Sequence, residues 1–517
     1  MDELSLYLIR ASVANFKQMK KLFTLLLILG MAGITAFGQT SAGKCWHIDY
    51  AQWNINTPAL HILCGNDESF NVGEELTLEM WIRAYTFGEN RKVMGKIASD
   101  GSSFNNGYVM GFQNLNVYTE LWNPTLQQIP YQSAGPIPKD SAFVHLVTTY
   151  SAGTGKMTDY VNGEVAGETQ VFPPSPIATN DAQFLIGAAP WEPNSFQFYG
   201  ALDEVRVWNV ARTEEQIKEF MFKELMGDED GLVAYYNFNT AHDSIVPDAG
   251  PYQNDGVLQN PDDDCWWWAD SYIPVGDDKM YDMLEPTAAW FGKSSEEFNN
   301  AVTENGFSLI ASIQEKEFDK YVVFGHTDVD GTNTENAPFM APVDFVRVAR
   351  EWYVNQGGNF ASDIFINLAQ AAGTGEQLPE DETNNLYILM HRQIGEDNYS
   401  PIAHPDQVFN ENLIFNDRVL YDGYYCVGYS STPMTPGYEE IQFENLEIIP
   451  NPATNFINIK NAEGLKVTIS DITGRELISQ TIESNHQTVD ITSLGKGIYF
   501  VSFEKNYHRI TKKIIVK

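Results

Sequence analysis

Hydrophobic and polar residues alternate in short runs along most of the chain. One such run, ELTLEMWIRA at residues 75–84, places apolar side chains at every second position. A period of two is typical of a strand with one face in the core, whereas an amphipathic helix needs a period of about 3.6 residues. Runs of this kind recur between Gly, Pro, Asn and Asp residues, and an extended helical period is almost absent. The pattern predicts an all-β protein built of sandwiches.

Two local signals refine this pattern. Asn162 and Gly163 separate two alternating runs in MTDYVNGEVAG, and both residue types readily take the positive φ angles of a tight hairpin turn. Thr213 and Gln216 have the spacing of a capping box ahead of Ile217. The sequence therefore predicts a hairpin at 162–163 and one short helix after the run ALDEVRVWN.

The length of the chain and the breaks in the pattern indicate several domains. A single core rarely serves more than about 250–300 residues, and this chain has 517. The segment SSTPMTPGYEE and an acidic stretch at 276–286 are typical of breaks between domains. We predict a first domain at 39–275, a second β-sandwich at 285–430, a linker at 431–444 and a small C-terminal β-sandwich at 445–517.

The N-terminal residues have the order of an export signal. From Met19 the chain reads MKKLFTLLLILGMAGITAFG, which is two lysines, a short apolar stretch and then small residues before Gln39. This is the order of a cleavable signal peptide. A membrane anchor is the alternative, but the apolar stretch is short and no second one follows. We expect translation to start at Met19, residues 1–38 to be removed, and the mature chain to have no membrane span.

The charge balance excludes several classes of partner. The 32 Lys and Arg residues against 69 Asp and Glu residues give a formal net charge of -37. Such a chain repels nucleic acid and anionic lipid. It is compatible with calcium, which binds carboxylate and carbonyl oxygens.

The expected export determines whether the four cysteines can form disulfides. Cys45, Cys64, Cys265 and Cys426 would enter an oxidising compartment, where disulfides persist. Three full pairings are possible, and the sequence does not choose among them. We favour a disulfide between Cys45 and Cys265, because these residues flank the first domain. The alternative for Cys426, which lies in the apolar run DGYYCVGY, is a buried free thiol.

Four successive motifs identify the first domain. Residues 70–220 contain SFNVGEELTLEMWIRA, FVHLVTTYSAGTGKMTDYVNGEVAG, AQFLIG and FYGALDEVRVWNVARTEEQI. In this order they resemble the laminin-G-like, or concanavalin-A-like, jelly-roll family. The resemblance implies a jelly-roll sandwich that binds glycans or extracellular proteins, in some members with a calcium ion. Its most specific part is formed by Gly200, Asp203, Glu204, Arg206, Trp208, Ala211, Arg212, Thr213 and Glu215.

The resemblance suggests candidate ligand residues. Calcium needs six to eight oxygen ligands, and we take Asp203, Asp248 and Asn66 as candidates. The alternative is that Asp203 pairs with a neighbouring arginine and that the other two form turns. For glycans, which stack on flat rings and bind amides, the candidates are Trp122, Tyr118 and Trp191, although aromatic residues of a sandwich are more often core.

The run of three tryptophans at 266–268 is a separate feature. Alternation along a strand sends at least one of these rings to each face of the sheet. One ring is then a candidate binding platform, and packing against the neighbouring domain is the alternative.

No pattern in the chain indicates catalysis. Glycosidases of the jelly-roll class place catalytic carboxylates at alternate positions of one strand, and the nearest string here, EIQFE, has Gln where Asp belongs and lies in the predicted linker. There is no HExxH, Gly-x-Ser-x-Gly or phosphate-binding loop. We predict a protein that is not an enzyme, with a polysaccharide hydrolase or a purely structural surface protein as alternatives.

The C-terminal residues carry a second resemblance. The segments NLEIIPNPATNFINIK, VTISDITGRELISQTI and VDITSLGKGIYFVSFEKNYHRITKKIIVK resemble the type A sorting domain of the type IX secretion system. The resemblance implies a partner, the type IX secretion machinery, and a route through the periplasm to the medium or the outer-membrane surface. The matching residues are Pro450, Asn451, Pro452, Asp471, Gly474, Arg475, Leu494, Gly497 and Tyr499.

Overall fold

The structure is a computed structural model of the chain. The predicted signal peptide at 1–38 lies outside the residues that the structure describes. It describes residues 43–48, 59–85, 90–99, 104–114, 116–122, 129–132, 143–171, 173–194, 196–260, 266–290, 301–302, 305–310, 320–338, 341–357, 361–373, 379, 385–409, 411–436, 446–462, 465–471, 475–482, 484, 486–505 and 508–517.

The first sandwich consists of two antiparallel sheets. Sheet A has the order β10-β9-β8-β3-β12-β1-β16, with β13 also paired to β12, and sheet B has the order β14-β15-β2-β11-β4-β5-β6-β7. The prediction of an all-β sandwich fold is confirmed. The elements are β1 (Lys44–Ile48), β2 (His61–Leu63), β3 (Glu75–Ala84), β4 (Arg91–Ser99), β5 (Phe104–Gln113), β6 (Asn116–Trp122), β7 (Ile129–Gln132), β8 (Val144–Ser151), β9 (Lys156–Val161), β10 (Glu164–Gln170), β11 (Phe184–Ile186), β12 (Gly200–Trp208), α1 (Glu214–Phe220), β13 (Leu232–Tyr236), β14 (Ile245–Val246), β15 (Gly256–Gln259) and β16 (Trp266–Asp270).

The core of this sandwich lies between the two sheets. Leu78 and Met80 enter it from sheet A, and Met94 and Met110 enter it from sheet B, all of them fully buried. Each such side chain stabilises the fold by about 1.5–3 kcal/mol relative to an exposed position. The alternation in the sequence therefore sets which face of each strand points inward.

A short chain of polar groups also crosses this core. The Oγ1 atoms of Thr119 in sheet B and Thr148 in sheet A are 2.8 Å apart. Thr148 donates to Asp159 Oδ1 at 2.5 Å. Burial raises the pKa of Asp159 to about 7, because the charged carboxylate is removed from water.

Both local signals read from the sequence form as predicted. Asn162 and Gly163 have φ angles of 52° and 77°, as the turn between β9 and β10 requires. Thr213 Oγ1 accepts from the backbone N–H of Gln216, and Gln216 Oε1 accepts from the backbone N–H of Thr213, so the capping box closes the start of α1. Ile217 of α1 then packs on the outer face of sheet A.

The second sandwich follows at residue 284. One sheet has the order β17-β20-β23-β29-β22-β21, with β25 and β26 attached through β29, and the other has the order β18-β19-β24-β28-β27. The elements are β17 (Leu284–Trp290), β18 (Ala301–Val302), β19 (Phe307–Ile310), β20 (Tyr321–His326), β21 (Thr332–Asn333), β22 (Val346–Val348), β23 (Trp352–Gly357), β24 (Ala361–Asn367), α2 (Leu368–Ala372), β25 (Tyr387–Arg392), β26 (Ser400–Ala403), β27 (Gln407–Phe409), β28 (Asn412–Val419) and β29 (Gly423–Tyr429).

The acidic stretch at 276–286 packs against the second sandwich. Met280 and Met283 are buried in one cluster with Tyr353 of β23. Tyr353 donates its hydroxyl to Asp277 at 2.7 Å. The predicted break is therefore an ordered joint between the two sandwiches.

The third sandwich has a three-stranded and a four-stranded sheet. Their orders are β30-β31-β34 and β33-β32-β35-β36. Within the described part of the whole chain, none of the helices has the length and apolar character needed to cross a bilayer. The strands are β30 (Glu447–Ile449), β31 (Phe456–Lys460), β32 (Lys466–Ser470), β33 (Glu476–Thr481), β34 (His486–Asp490), β35 (Gly497–Lys505) and β36 (His508–Val516).

The Cys45–Cys265 disulfide stays a prediction, because Cys265 lies outside the described residues. Cys45 is buried and has no disulfide partner among the described residues. It pairs across the β1–β16 ladder with Ala269. The alternative for Cys426, a buried free thiol, is confirmed.

Candidate functional site

A groove of about 1350 Å³ runs along the outer face of sheet B. Strands β2, β4 and β11 contribute to its floor, and residues from 66–71, 179–183 and 190–193 contribute to its walls. The lining residues are His61, Leu63, Asn66, Glu68, Asn71, Ile97, Ala98, Asn106, Thr179, Asn180, Asp181, Ala182, Gln183, Leu185, Pro190, Trp191 and Pro193.

The strand alternation explains this lining. Ile62 of β2 and Phe184 of β11 belong to the core between the sheets. Their sequence neighbours therefore point to the opposite face, where Leu63 and Leu185 line the groove. The same alternation therefore determines which side chains enter the core and which side chains line the groove.

Amide side chains order the wall of the groove. Asn180 Nδ2 donates to the carbonyl of Asn106 at 3.2 Å, and its Oδ1 accepts from the backbone N–H of Ala182 at 2.8 Å. Asn66 donates to the carbonyl of Asp181 at 3.5 Å. Asn106 Oδ1 is buried and has no hydrogen-bond partner among the described residues. These hydrogen bonds tie the loop at 180–182 to β5 and to the loop that carries Asn66.

Two acidic side chains, those of Glu68 and Asp181, line the groove, and none of the described lining residues is Lys or Arg. The ammonium group of Lys96 lies behind the lining, where it donates to the carbonyl of Ala182 and interacts with Asp181. Burial lowers the pKa of His61 below its ordinary value of 6.5, so this ring is neutral at pH 7. The groove therefore suits an uncharged, hydroxyl-rich ligand better than an anion.

Of the predicted glycan residues, Trp191 lines the groove directly. Its half-buried ring stands 5.8 Å from that of Phe196, with 52° between the ring planes. A large aromatic ring at a groove wall supplies a flat surface on which a sugar ring stacks.

The other two, Tyr118 and Trp122, lie on β6. Trp122 shares a cross-strand row with Gly107 and Ile97, and Ile97 lines the groove, so the indole stands on the same face of sheet B. Trp122 Nε1 donates to Glu120 Oε2 at 3.3 Å. Tyr118 and Trp122 are both half-buried.

Tyr118 belongs to a small charged group formed by residues of β4 and β6. Lys92 and Glu120 form a buried ion pair at 2.7 Å. Lys92 Nζ also lies 3.9 Å from the centre of the Tyr118 ring. Burial and the nearby Glu120 raise the pKa of Tyr118 to about 12. The structure therefore places these rings on the groove face but ties both of them to protein groups.

The three calcium candidates lie in different surroundings. Asn66 lines the groove. Asp203 is buried in sheet A, where its carboxylate accepts from Ser271 and from the backbone N–H of Glu204. Asp248 accepts from three backbone N–H groups, those of Tyr235, Gly250 and Asn254, each at 2.8 Å.

These contacts occupy both aspartates with protein donors. Among the described residues, no three His, Cys, Asp or Glu side chains are grouped so that they could hold a metal ion. Calcium binding by Asp203, Asp248 and Asn66 stays a prediction.

A buried charged cluster lies on the outer face of sheet A, beneath α1. Arg206 contacts Glu79 at 2.9 Å and Glu204 at 2.6 Å. Burial raises the pKa of Glu204 to about 7. Burial would raise the pKa of Glu79 as well, but Arg206 and His145 hold it well below its usual range. The sequence motif that carries the family resemblance is therefore largely a structural cluster of paired charges.

Two groove features escaped the sequence reading. His61 and the amide of Asn180 are single polar residues without a motif of their own. The run ATNDAQ directly before the short strand motif FLIG was the available signal, because polar loop residues next to a strand end often line a binding surface.

In the third sandwich, several predicted sorting residues make defined contacts. Asn451 donates to the carbonyl of Lys513 at 2.9 Å and accepts from the N–H of Ile515 at 3.0 Å. The peptide bonds before Pro450 and Pro452 are cis. Arg475 lies 3.3 Å from Asp471, and Tyr499 donates to the carbonyl of Gly495 at 2.8 Å. Gly497 opens β35, and Gly474 lies outside the described residues.

Two regions of the chain match models of known protein families. Residues 60–218 match the family model described as the concanavalin A-like lectin/glucanases superfamily. Residues 447–517 match the model described as a secretion system C-terminal sorting domain. A search of curated proteins gives no match.

Several solved structures are similar at low identity. A protein of Bacteroides ovatus, named as a candidate carbohydrate-binding protein, is 22% identical with a TM-score of 0.34, and the match covers 46% of this chain and 62% of that chain. The match thus spans less than two thirds of that protein.

Two further structures match over shorter parts of this chain. A pentraxin of Limulus polyphemus is 17% identical with a TM-score of 0.26, covering 34% of this chain and 80% of that chain. The sialyllactose-bound CBM40 of a Ruminococcus gnavus sialidase is 11% identical with a TM-score of 0.26, covering 35% of this chain and 94% of that chain.

The chain therefore carries a concanavalin-A-like domain near its N-terminus and, at its C-terminus, a secretion-system sorting domain that directs it to the medium or the cell surface.

Proposed function

We propose that this exported protein is a glycan-binding protein and that the groove of sheet B holds the glycan. The observation that carries the proposal is the lining of the groove, which combines a half-buried tryptophan, several amides and no described Lys or Arg. Sugar rings stack on aromatic faces, and their hydroxyl groups bind amide and carboxylate groups.

The charge of the groove narrows the ligand class. Glu68 and Asp181 would repel the carboxylates of an acidic sugar, and the net charge of -37 on the chain adds to this repulsion. The ligand is therefore a neutral glycan, with Trp191 as the stacking residue and Asn66 and Asn180 beside it.

The predicted calcium ion belongs to the same proposal. Asn66 lines the groove, so a calcium ion held there would contribute to ligand binding, as an ion with free coordination positions contacts sugar hydroxyls. Binding would then be lost on addition of a chelator and restored by added calcium.

Binding of residues 39–517 to a glycan array, with and without chelator, tests the proposal. We expect the wild type to bind neutral glycans and Trp191→Ala to bind them about tenfold more weakly, which corresponds to about 1.4 kcal/mol. Tyr252→Ala is the matched control, because Tyr252 is a 54% exposed aromatic residue that does not line the groove. Unchanged binding by Trp191→Ala would contradict the groove as the site.

The same experiment separates the two alternatives. Release of reducing ends from a bound polysaccharide, lost in Glu68→Gln, would identify a hydrolase, because a glycosidase needs carboxylates at the site. Silence across the array would favour a structural surface protein or a protein ligand.

A further inference from the structure

The three consecutive tryptophans of β16 are divided between two faces of sheet A. Trp266 and Trp268 pack against the core between the sheets. Trp268 stacks on Phe238 at 6.0 Å. Trp267, between them, points to the opposite face and remains 41% exposed. This exposure requires an explanation, because burying a ring of this size is one of the larger favourable contributions to a fold.

Trp267 is held in one orientation by its neighbour across the ladder. His47 of β1 pairs with Trp267 in the β1–β16 register. The two rings stack at 3.9 Å with 19° between their planes. Since one face of the indole covers His47, the exposed area lies on the other face. The ring is therefore a fixed, flat surface that faces solvent.

Polar groups surround this surface. His47 Nε2 lies 3.1 Å from the hydroxyl of Tyr85, and Arg83 Nη2 donates to the same hydroxyl at 3.1 Å. Tyr85 is itself 40% exposed. We call Trp267, His47, Tyr85 and Arg83 the tryptophan platform. It joins two exposed aromatic rings to hydrogen-bonding groups at their edges, which is the combination that pyranose recognition uses.

We propose that the tryptophan platform is a second carbohydrate-binding site, which stacks a pyranose ring of a neutral glycan on Trp267. The charge of the whole chain favours a neutral occupant over a polyanion. Arg83 is the one platform residue that is always cationic, and its guanidinium already lies 5.1 Å from the Phe143 ring and 5.7 Å from the Tyr85 ring. With a net charge of -37 on the whole chain, a polyanion is disfavoured.

The platform is independent of the groove. The groove lies on the outer face of sheet B, whereas the platform lies on sheet A, which forms the opposite layer of the sandwich. None of the four platform residues lines the groove. The protein would therefore contact a glycan at two separated places, and one protein could hold two chains of a polysaccharide.

The test uses residues 39–517 as wild type, Trp267→Ala, Trp191→Ala and the double variant, with Tyr252→Ala as the matched exposed-aromatic control. Each is incubated with insoluble cellulose, chitin, xylan and β-1,3-glucan, and the protein left in solution is measured. We expect Trp267→Ala to weaken binding to at least one polysaccharide about tenfold, with Tyr252→Ala unchanged, and the double variant to bind more weakly than either single variant.

A second variant guards against a folding defect. Trp267→Phe keeps a flat ring over His47 and should retain most of the binding that Trp267→Ala loses. Circular dichroism and thermal unfolding of all variants accompany the binding measurement.

The possible results are distinct. Weaker binding by Trp191→Ala together with full binding by Trp267→Ala supports the groove alone and overturns the platform. No binding of wild type to any of the four polysaccharides also overturns it. If sedimentation shows that the wild type is a dimer and Trp267→Ala a monomer with unchanged polysaccharide binding, the platform is a contact between two copies and the proposal is wrong.

Discussion

The charged cluster beneath α1 and the groove of sheet B are two polar regions on opposite outer faces of one sandwich. In the cluster, Arg206 lies against Glu79 and Glu204, and all three side chains are almost fully buried. In the groove, amides such as Asn180 bind backbone groups at its wall, and the cavity beside them is open. Polar residues that satisfy each other hold the fold together, whereas polar residues beside an open cavity are available to a ligand.

The largest expected effect on stability comes from removing one charge of the buried cluster beneath α1. Arg206→Met leaves Glu79 and Glu204 buried without their cationic partner. We expect a loss of about 3–5 kcal/mol in the free energy of unfolding of the first sandwich, the usual result when one member of a buried ion pair is removed. Guanidinium titration followed by tryptophan fluorescence measures this loss.

Arg418→Met is the control for this variant. Arg418 pairs with Asp406 at 2.6 Å on the surface, where both side chains are partly exposed. Its removal should cost about 0–1 kcal/mol. Equal effects of the two substitutions would contradict the distinction between the buried cluster and the surface.

A pH experiment sharpens the same comparison through Asp159, which lies in the closed core between the sheets. Its pKa is about 7 in the folded state, above its ordinary value of 3.8, because it is buried. The stabilisation by the protonated carboxyl is therefore complete below pH 3.8 and is lost as the pH rises to 7. Between pH 4 and pH 7 the free energy of unfolding should fall less steeply in Asp159→Asn than in wild type.

The difference in slope should reach about 1.4 kcal/mol per pH unit at most. Every other titrating group is common to both proteins, so the difference between the two curves isolates this carboxyl. Parallel curves would show that Asp159 is charged in the folded protein at acidic pH.

The smallest effect on stability is expected at the groove of sheet B. Trp191→Ala removes a half-buried ring at the groove wall, so the free energy of unfolding should change by about 0.5 kcal/mol, the range of ordinary surface substitutions. Calorimetric unfolding of this variant beside Arg206→Met gives the contrast directly. A loss as large as that of Arg206→Met would identify Trp191 as a core residue.

Much of the fold could be predicted because local rules determine it. The hairpin at Asn162 and Gly163 and the capping box at Thr213 each depend on two neighbouring residues whose conformational preferences agree with the tertiary structure. Strand register is harder to predict, because it depends on pairing along a whole sheet; in the β1–β16 ladder it places Cys45 opposite Ala269.

The candidate site could be predicted only in part. Trp191 was a candidate because sugar rings stack on flat aromatic side chains, and it lines the groove. Asp203 was taken from a family motif, and the structure shows it bound by Ser271 and by the backbone at Glu204. The groove itself requires Asn66 and Asn180, more than a hundred positions apart in the chain, to lie along one cavity, and only the folded topology shows that.

The contacts of Asn451 have a consequence for biosynthesis. Its amide holds the start of the sorting domain against Lys513 and Ile515 of β36, which are made long after Asn451 itself. A polypeptide that stops before Lys513 lacks one side of this contact. The sorting domain can therefore close only after β36 has been synthesised.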